Sequence, residues 1–191
     1  MRILRAADHK RMPWKNGGGE TVEIAVSPEE AGLAGFDWRV SMATVAADGP
    51  FSIFPGIDRT LAILDGNGMV LDIEGGTPVL LTVASDPLAF SADIPVTARL
   101  QDGAITDLNV MTRRDGIAHR LVRIEIAGGK TVPLTSPTCL LLCHRGTLSF
   151  RQGAETGALA AGDALLIENA GESVLEIDGE AKCYLVSIAT A

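Results

Sequence analysis

The amino-acid sequence predicts an almost wholly β-sheet protein. Short segments in which polar and apolar residues alternate recur along the whole chain, and Gly, Pro, Asp and Asn separate them. Few stretches show the 3.6-residue periodicity of a helix. Many short strands at this spacing are typical of a β-sandwich or an open barrel.

Ten segments carry the alternation, in the order 21–26, 38–45, 59–64, 69–73, 107–111, 121–126, 139–144, 147–150, 164–168 and 182–188. Each is predicted to be a strand, because alternate residues of a strand point to opposite faces of the sheet. The best helical candidate is the segment 28–33, where Ser27 is a suitable N-cap, Pro28 takes the first position and two glutamates follow. Gly32 and Gly35 keep this candidate short.

A faint internal repeat predicts the architecture. Residues 64–71 and 144–150 each combine a strand, a glycine turn and a second strand, and an acidic turn follows each of them. This rhythm is typical of cupin barrels. We therefore expect one compact unit, either a cupin-like double barrel (a bicupin) or a β-sandwich with very little helix. Residues 1–115 form its ligand-site half and residues 116–191 its scaffold half.

Composition and charge exclude several functions. The net charge of -8 and only 16 scattered Lys and Arg residues argue against nucleic acid. The N-terminus has no signal-peptide pattern, and the apolar runs are too short to cross a membrane. Three cysteines, an odd number, do not form a disulfide framework, so reduced thiols in the cytoplasm are expected.

The most unusual polar string is residues 14–21, which contains three consecutive glycines. One interpretation is a hairpin turn, because Asn-Gly before an alternating segment favours such a turn. The other is an anion site, in which backbone N–H groups and the Asn16 amide approach an oxygen atom. The sequence leaves both open.

Two arginines lie in predicted strands. Arg39 and Ser41 share one strand face, and Arg59 shares a face with Leu61 and Ile63 directly after an aromatic loop, residues 49–56. Arg59 at a barrel mouth would be a suitable clamp for a carboxylate, because its planar fork binds two oxygens at once. The alternative is a structural ion pair of Arg59 with Asp58 or Glu20.

A third polar pattern lies in the segment 107–111. Asp107, Asn109 and Met111 fall on the face opposite Leu108 and Val110. A buried Asp and Asn would be costly unless they bond to each other, to an arginine or to a ligand.

These strings together resemble the HutD/Ves family. The resemblance rests on five segments in the family's order, PWKNGGGET (13–21), WRVSMA (38–43), DGPFS (48–52), FPGIDR (54–59) and DLNVM (107–111). It covers essentially the whole chain and weakens after about residue 126. It implies a cupin-like double-barrel fold, a link to histidine utilisation in bacteria, and a small-molecule binding or regulatory role.

The resemblance also implies a ligand and a pocket. The ligand class is a small anionic metabolite of histidine degradation, such as a formylated glutamate or urocanate. The implied ligand-binding residues are six polar side chains and two apolar walls: Asn16, Thr21, Arg39, Ser41, Arg59 and Asn109, with Trp14 and Phe54.

The sequence favours a binding protein over an enzyme. The three histidines are far apart and do not form the His-x-His signature of metal cupins, and no Gly-x-Ser-x-Gly motif is present. We therefore expect no catalytic residue, metal ligand or cofactor. A metal-free lyase, isomerase or hydrolase stays open, with Glu20, Glu23 or Asp107 as the acid or base. A protein-interaction module that pairs through strand edges, including as a homodimer, also stays open.

Overall fold

The computed structural model describes residues 1–15 and 17–190. Its only helix is a three-residue 3-10 helix, Ala6–Asp8, within this described part of the chain. Seventeen strands make up the rest of its regular structure: β1 (Arg2–Leu4), β2 (Lys10–Pro13), β3 (Gly19–Ser27), β4 (Trp38–Val45), β5 (Gly49–Pro50), β6 (Ile57–Asp65), β7 (Met69–Ile73), β8 (Val79–Leu81), β9 (Leu88–Ser91), β10 (Val96–Leu100), β11 (Ile105–Arg113), β12 (Ile117–Ala127), β13 (Lys130–Leu134), β14 (Thr138–Gln152), β15 (Glu155–Ala160), β16 (Ala164–Glu168) and β17 (Ser173–Thr190).

The chain divides into two compact units. One comprises Lys10–Ile117, and the other comprises Met1–His9 together with Ala118–Ala191. The sequence analysis placed residues 1–9 in the same half as residues 10–115, whereas in the structure they belong with Ala118–Ala191. Strand β1 lies with the later unit because it pairs antiparallel with β16, placing Ile3 opposite Leu165.

The unit Lys10–Ile117 contains two sheets. The first has six strands in the order β2-β3-β4-β11-β6-β9, and the second has four in the order β5-β10-β7-β8. Apolar side chains from both sheets form one core, in which Leu61, Ile63 and Ile105 of the first meet Met69 and Leu71 of the second. The two sheets therefore pack face to face, as in a sandwich.

The second unit is built on one seven-stranded sheet. Its main path is β1-β16-β14-β17-β12, with β13 paired to β17 and β15 paired to β14. Leu141, Leu165 and Leu175 are buried in its core, together with all three cysteines. The all-β prediction is thus confirmed. Because all three sheets are open paths, a β-sandwich describes them better than a closed barrel.

The helix predicted for residues 28–33 is wrong. Strand β3 continues to Ser27, opposite Trp38, and the segment after it forms separate turns. Ala31 N–H donates to the Pro28 carbonyl, and Glu30 has a φ of 66°, which no α-helix contains. Among the described residues, no helix is long and apolar enough to cross a membrane.

The second hairpin of the predicted repeat is also wrong. Residues 144–150 lie inside the single strand β14, which pairs with β17 on both sides of a register shift between Cys143 and Arg145. Gly146 has a φ of 84°, and a Cβ there would lie 2.0 Å from the Glu180 carbonyl oxygen. Gly146 therefore lies in a continuous strand just after its bulge, where the close approach of the Glu180 carbonyl leaves no room for a side chain and where we had predicted a turn.

Candidate functional site

Five of the six predicted polar residues lie on the inner face of the six-stranded sheet, the face that packs against the four-stranded sheet: Thr21, Arg39, Ser41, Arg59 and Asn109. Strand β11 lies between β4 and β6, so side chains from the three strands form rows. In one row Asn109 lies between Ser41 and Leu61, and in the next Met111 lies between Arg39 and Arg59. Arg39, Ser41, Arg59 and Asn109 are all buried. We call these rows, with Asp107, Thr21 and Glu23, the polar row cluster.

Arg39 is paired within the cluster. Its Nε donates to the Glu23 carboxylate at 2.6 Å, and the two side chains are only 6% and 12% exposed. The pair forms where β3 has a bulge between Glu23 and Ala25, opposite β4. Arg39 therefore has its own counter-ion.

Asp107 is the most buried acid of the cluster, at 1% exposed. It lies opposite Ala43 on β4 and Ile63 on β6, and it accepts a hydrogen bond from the Asn109 side-chain amide. Burial raises the pKa of the Asp107 carboxyl to about 7, although the charge of Arg59 and hydrogen bonds from Asn109 and the Ala43 backbone oppose the rise. Near neutral pH this carboxyl therefore exists in both protonation states.

Arg59 is buried, and its guanidinium has no oxygen acceptor among the described residues. Its exposure is 7%, and its Nε has no acceptor among the described residues. One Nη donates to the Met111 sulfur at 3.7 Å. Burial lowers the pKa of the guanidinium to about 10; the charge of Asp107 opposes this and the like charge of Arg39 adds to it.

Three aromatic rings surround the same guanidinium. Its Cζ lies 5.3 Å from the ring centre of Phe51, 5.4 Å from that of Phe54 and 5.9 Å from that of Phe90. Rings at this range attract a cation but offer no acceptor for its N–H groups. The Arg59 fork thus keeps hydrogen-bonding capacity that an oxygen anion could use.

The structural ion pair weighed for Arg59 is wrong. Asp58 accepts from Arg114 Nε at 2.8 Å, and Glu20 accepts from Arg11 at 2.8 Å. Both acids therefore have other cations, and Arg59 turns inward to the opposite face from Asp58.

Three more of the predicted site residues lie in the unit Lys10–Ile117, namely Trp14, Thr21 and Phe54. Trp14 Nε1 donates to Thr21 Oγ1 at 2.8 Å, and its ring packs on the core between the two sheets. Thr21 lies opposite Ala43, in the same row as Asp107. Phe54 packs beside Met111 as well as Arg59. Asn16, the remaining predicted residue, lies outside the described residues.

Trp14 and Gly19 close a hairpin, one of the two interpretations that the sequence left open for the glycine string; the anion-site interpretation, which includes Asn16, stays a prediction. Trp14 N–H donates to the Gly19 carbonyl, which closes the turn between β2 and β3. A Cβ at Gly19 would lie 2.1 Å from the Thr44 carbonyl oxygen and 3.1 Å from the Trp14 ring. Gly19 is thus required for close contact between the turn and β4.

Four side chains of the site were absent from the predicted ligand set. Glu23 and Asp107 were considered only as acid–base candidates, and Phe51 only as part of an aromatic loop. The alternation of β11 could have added Asp107, since it shares a face with Asn109. Phe90 lies opposite Arg59 on the four-residue strand β9, for which the sequence pattern offered no signal.

The histidines and cysteines do not converge on a metal-type site in the described part of the chain, where no group of three or more His, Cys, Asp and Glu could hold an ion. Cys139, Cys143 and Cys183 are buried, as expected for core residues. His144 lies within β14, and its ring contacts Tyr184 edge-on.

A separate open groove of about 450 Å³ belongs to the unit with the C-terminal strands, and none of the predicted site residues lines it. Arg5 lies at this groove, but it already pairs with Asp163 at 2.6 Å. The arginine of this groove therefore has a carboxylate partner, which distinguishes it from Arg59.

The HutD family model matches residues 6–185. The chain belongs to the HutD family. It is 36% identical over 181 residues to an uncharacterised 21.2 kDa protein in the hutC 3' region of Pseudomonas putida, covering 94% of this chain and 93% of that one. It is also 41% identical over 113 residues to Protein Ves of Citrobacter koseri, covering 56% of this chain and 57% of Ves.

Solved structures agree with this membership. A conserved protein of unknown function from Pseudomonas aeruginosa PAO1 matches with a TM-score of 0.89 and 36% identity over 98% of both chains. HutD from Pseudomonas fluorescens SBW25, in a formate condition, matches with a TM-score of 0.83 and 33% identity over 100% of this chain and 98% of that one. A cupin 2 conserved barrel domain protein from Leptotrichia buccalis, at 12% identity and a TM-score of 0.56 over 90% and 88% of the two chains, shares the fold of this HutD-family chain.

Proposed function

We propose that this protein binds the carboxylate of a small acid at Arg59, within the polar row cluster. The observation that carries the proposal is a guanidinium that is 7% exposed and whose Nε has no acceptor among the described residues. Leaving a charged donor of this kind unsatisfied costs free energy. A ligand oxygen would satisfy it.

The surroundings suit a small organic acid. The guanidinium fork can hold a carboxylate through two parallel N–H···O bonds, and low local polarity strengthens such charge-assisted bonds. The rings of Phe51 and Phe54 would contact the apolar part of the ligand. Ser41 and Asn109 supply further polar groups in the neighbouring row.

We further propose that the ligand is an intermediate of histidine degradation, such as formylglutamate or urocanate, and that binding regulates or reports flux through that pathway. The name HutD refers to histidine utilisation, and the Pseudomonas relative is described by its position in the hutC 3' region.

Calorimetric titration of metal-free protein with formylglutamate, urocanate, glutamate and formate tests the proposal. We expect saturable binding of at least one acid, and Arg59→Ala should weaken it by about 2–5 kcal/mol. The matched control is Arg99→Ala, which removes an exposed arginine from the same unit. Normal affinity in Arg59→Ala would refute the clamp. No binding of any acid would favour the protein-interaction alternative.

A second candidate function is metal-free acid–base catalysis on a small acid. It is favoured by Asp107, a carboxyl whose pKa of about 7 suits proton transfer near neutral pH. The same titration mixtures distinguish the two functions if each is analysed for product. Turnover that Asp107→Asn abolishes would identify an enzyme, and intact ligand after saturable binding would identify a binding protein.

A further inference from the structure

Arg59 and Asp107 face the same buried interior, and the charge of Arg59 opposes the rise that burial causes in the pKa of Asp107. Four charged side chains of the described residues face the interior here, namely Glu23 from β3, Arg39 from β4, Arg59 from β6 and Asp107 from β11. Glu23 and Arg39 are engaged with each other at 2.6 Å. Asp107 is therefore left with Arg59 as its balancing charge.

The opposing sheet offers Asp107 no other charge. The residues of the four-stranded sheet in the shared core are apolar, among them Met69, Leu71 and Ala98. Asn109 donates one hydrogen bond to Asp107 but carries no charge. The charge balance of this interior therefore changes as soon as a second anion approaches Arg59.

We propose that a carboxylate enters the Arg59 site together with one proton, which Asp107 holds in the complex. This inference rests on the function proposed above and concerns the regulation of the same site. A ligand carboxylate at Arg59 would bring a second anion to the buried face that already holds Asp107. Two carboxylates in one buried interior repel each other, and the lower-energy arrangement keeps one of them neutral. Asp107 is the acid that takes the proton, because it is only 1% exposed and burial disfavours its charged form.

The direction of the pH effect follows from linkage. The free protein already holds the Asp107 pKa at about 7, and the bound anion raises it further. Below pH 7 the proton is in place before the ligand arrives, so affinity changes little. Above pH 7 each binding event must take up a proton, and affinity falls by up to about tenfold per pH unit.

Calorimetry of the unmodified protein with formylglutamate at pH 6, 7 and 8 tests this, in phosphate and in Tris. Formylglutamate has no group that titrates in this range, and the two buffers differ in heat of ionisation, so the difference in binding heat counts the protons exchanged. We expect an uptake that rises from near zero at pH 6 towards one proton at pH 8, with affinity roughly tenfold weaker at pH 8.

A variant assigns the proton. Asp107→Asn should bind with the same affinity at pH 6 and pH 8 and without proton uptake, whereas Asp86→Asn, at an exposed acid of the same unit, should behave as the unmodified protein does. Proton uptake that persists in Asp107→Asn would overturn the assignment to Asp107. If that variant does not fold, the pH dependence of proton uptake by the unmodified protein takes its place: half-maximal uptake near pH 7, the pKa of Asp107, supports the assignment, and a midpoint elsewhere overturns it.

Different results would refute the proton uptake by Asp107 and the carboxylate site at Arg59. Saturable binding with no proton uptake and equal affinity at pH 6 and pH 8 would overturn the inference and leave the carboxylate site intact. No binding at any pH would refute the proposed function itself, and the inference with it.

Discussion

The free energy cost of burying Asp107 can be measured without any ligand, by replacing it with asparagine. Asn has the same shape and stays neutral, and its oxygen can still accept the hydrogen bond from Asn109. The carboxyl of Asp107 has a pKa of about 7 in the fold, against an ordinary value of 3.8. Its pKa is thus raised, so its contribution to stability is complete below about pH 4 and is lost as the pH rises through 7.

The magnitude follows from that difference. Each unit of pKa corresponds to about 1.4 kcal/mol, so ionisation of Asp107 costs the folded state about 4 kcal/mol in total, of which about 3 kcal/mol falls between pH 5 and pH 8. Asp107→Asn should therefore gain about 3 kcal/mol of unfolding free energy relative to the unmodified protein over that range. The comparison between proteins cancels the titration of all other groups.

Urea unfolding at pH 5, 6, 7 and 8, followed by tryptophan fluorescence, measures these free energies. Asp86→Asn is the control, because Asp86 is exposed and its curve should run parallel to that of the unmodified protein. A curve for Asp107→Asn that also runs parallel would refute the reasoning. It would mean that Asp107 is ionised in the fold at no cost.

Three further results are expected. Gly19→Ala should lose about 2–4 kcal/mol of unfolding free energy in urea, because its Cβ would clash with the Thr44 carbonyl. Gly32→Ala, whose Cβ would meet nothing within 4 Å, should change little, and equal effects would contradict the contact. Arg59→Met should lose carboxylate binding in calorimetry. At pH 6 its unfolding free energy in urea should nevertheless be about 1–3 kcal/mol higher, because an apolar side chain replaces a buried unsatisfied cation; a lower unfolding free energy would contradict this. The three buried cysteines should resist a thiol reagent in native buffer and all react in urea; rapid native labelling would show that they are accessible.

Most of the strands could be predicted from local alternation. The predicted bounds 38–45, 69–73 and 164–168 match β4, β7 and β16. The failure at residues 144–150 has a specific cause. A glycine with positive φ suits both a turn and a bulge, and the choice depends on pairing with β17, about thirty residues later in the chain. Local pattern carries no information about that distant partner.

The membership of the polar row cluster was also predictable, but its surroundings were not. Alternation places Arg39 with Ser41 and Asp107 with Asn109 on common faces, as the strand register shows. Both faces of these strands are buried, however, since Val40 and Leu108 are 0% exposed. The alternation would look the same if the polar face met water, so it does not reveal that this face is enclosed. It also does not show that Phe90 lies over the Arg59 guanidinium.

The energetics of the cluster separate its two arginines. Arg39 and Glu23 form a satisfied pair, which a folded protein can keep for structural reasons alone. Arg59 forms no such pair with any described residue, and burial disfavours both its charge and that of Asp107. Apolar residues in both positions would pack between the sheets at no electrostatic cost, so stability does not account for them. A ligand that completes the hydrogen bonds of Arg59 while Asp107 takes a proton does account for both.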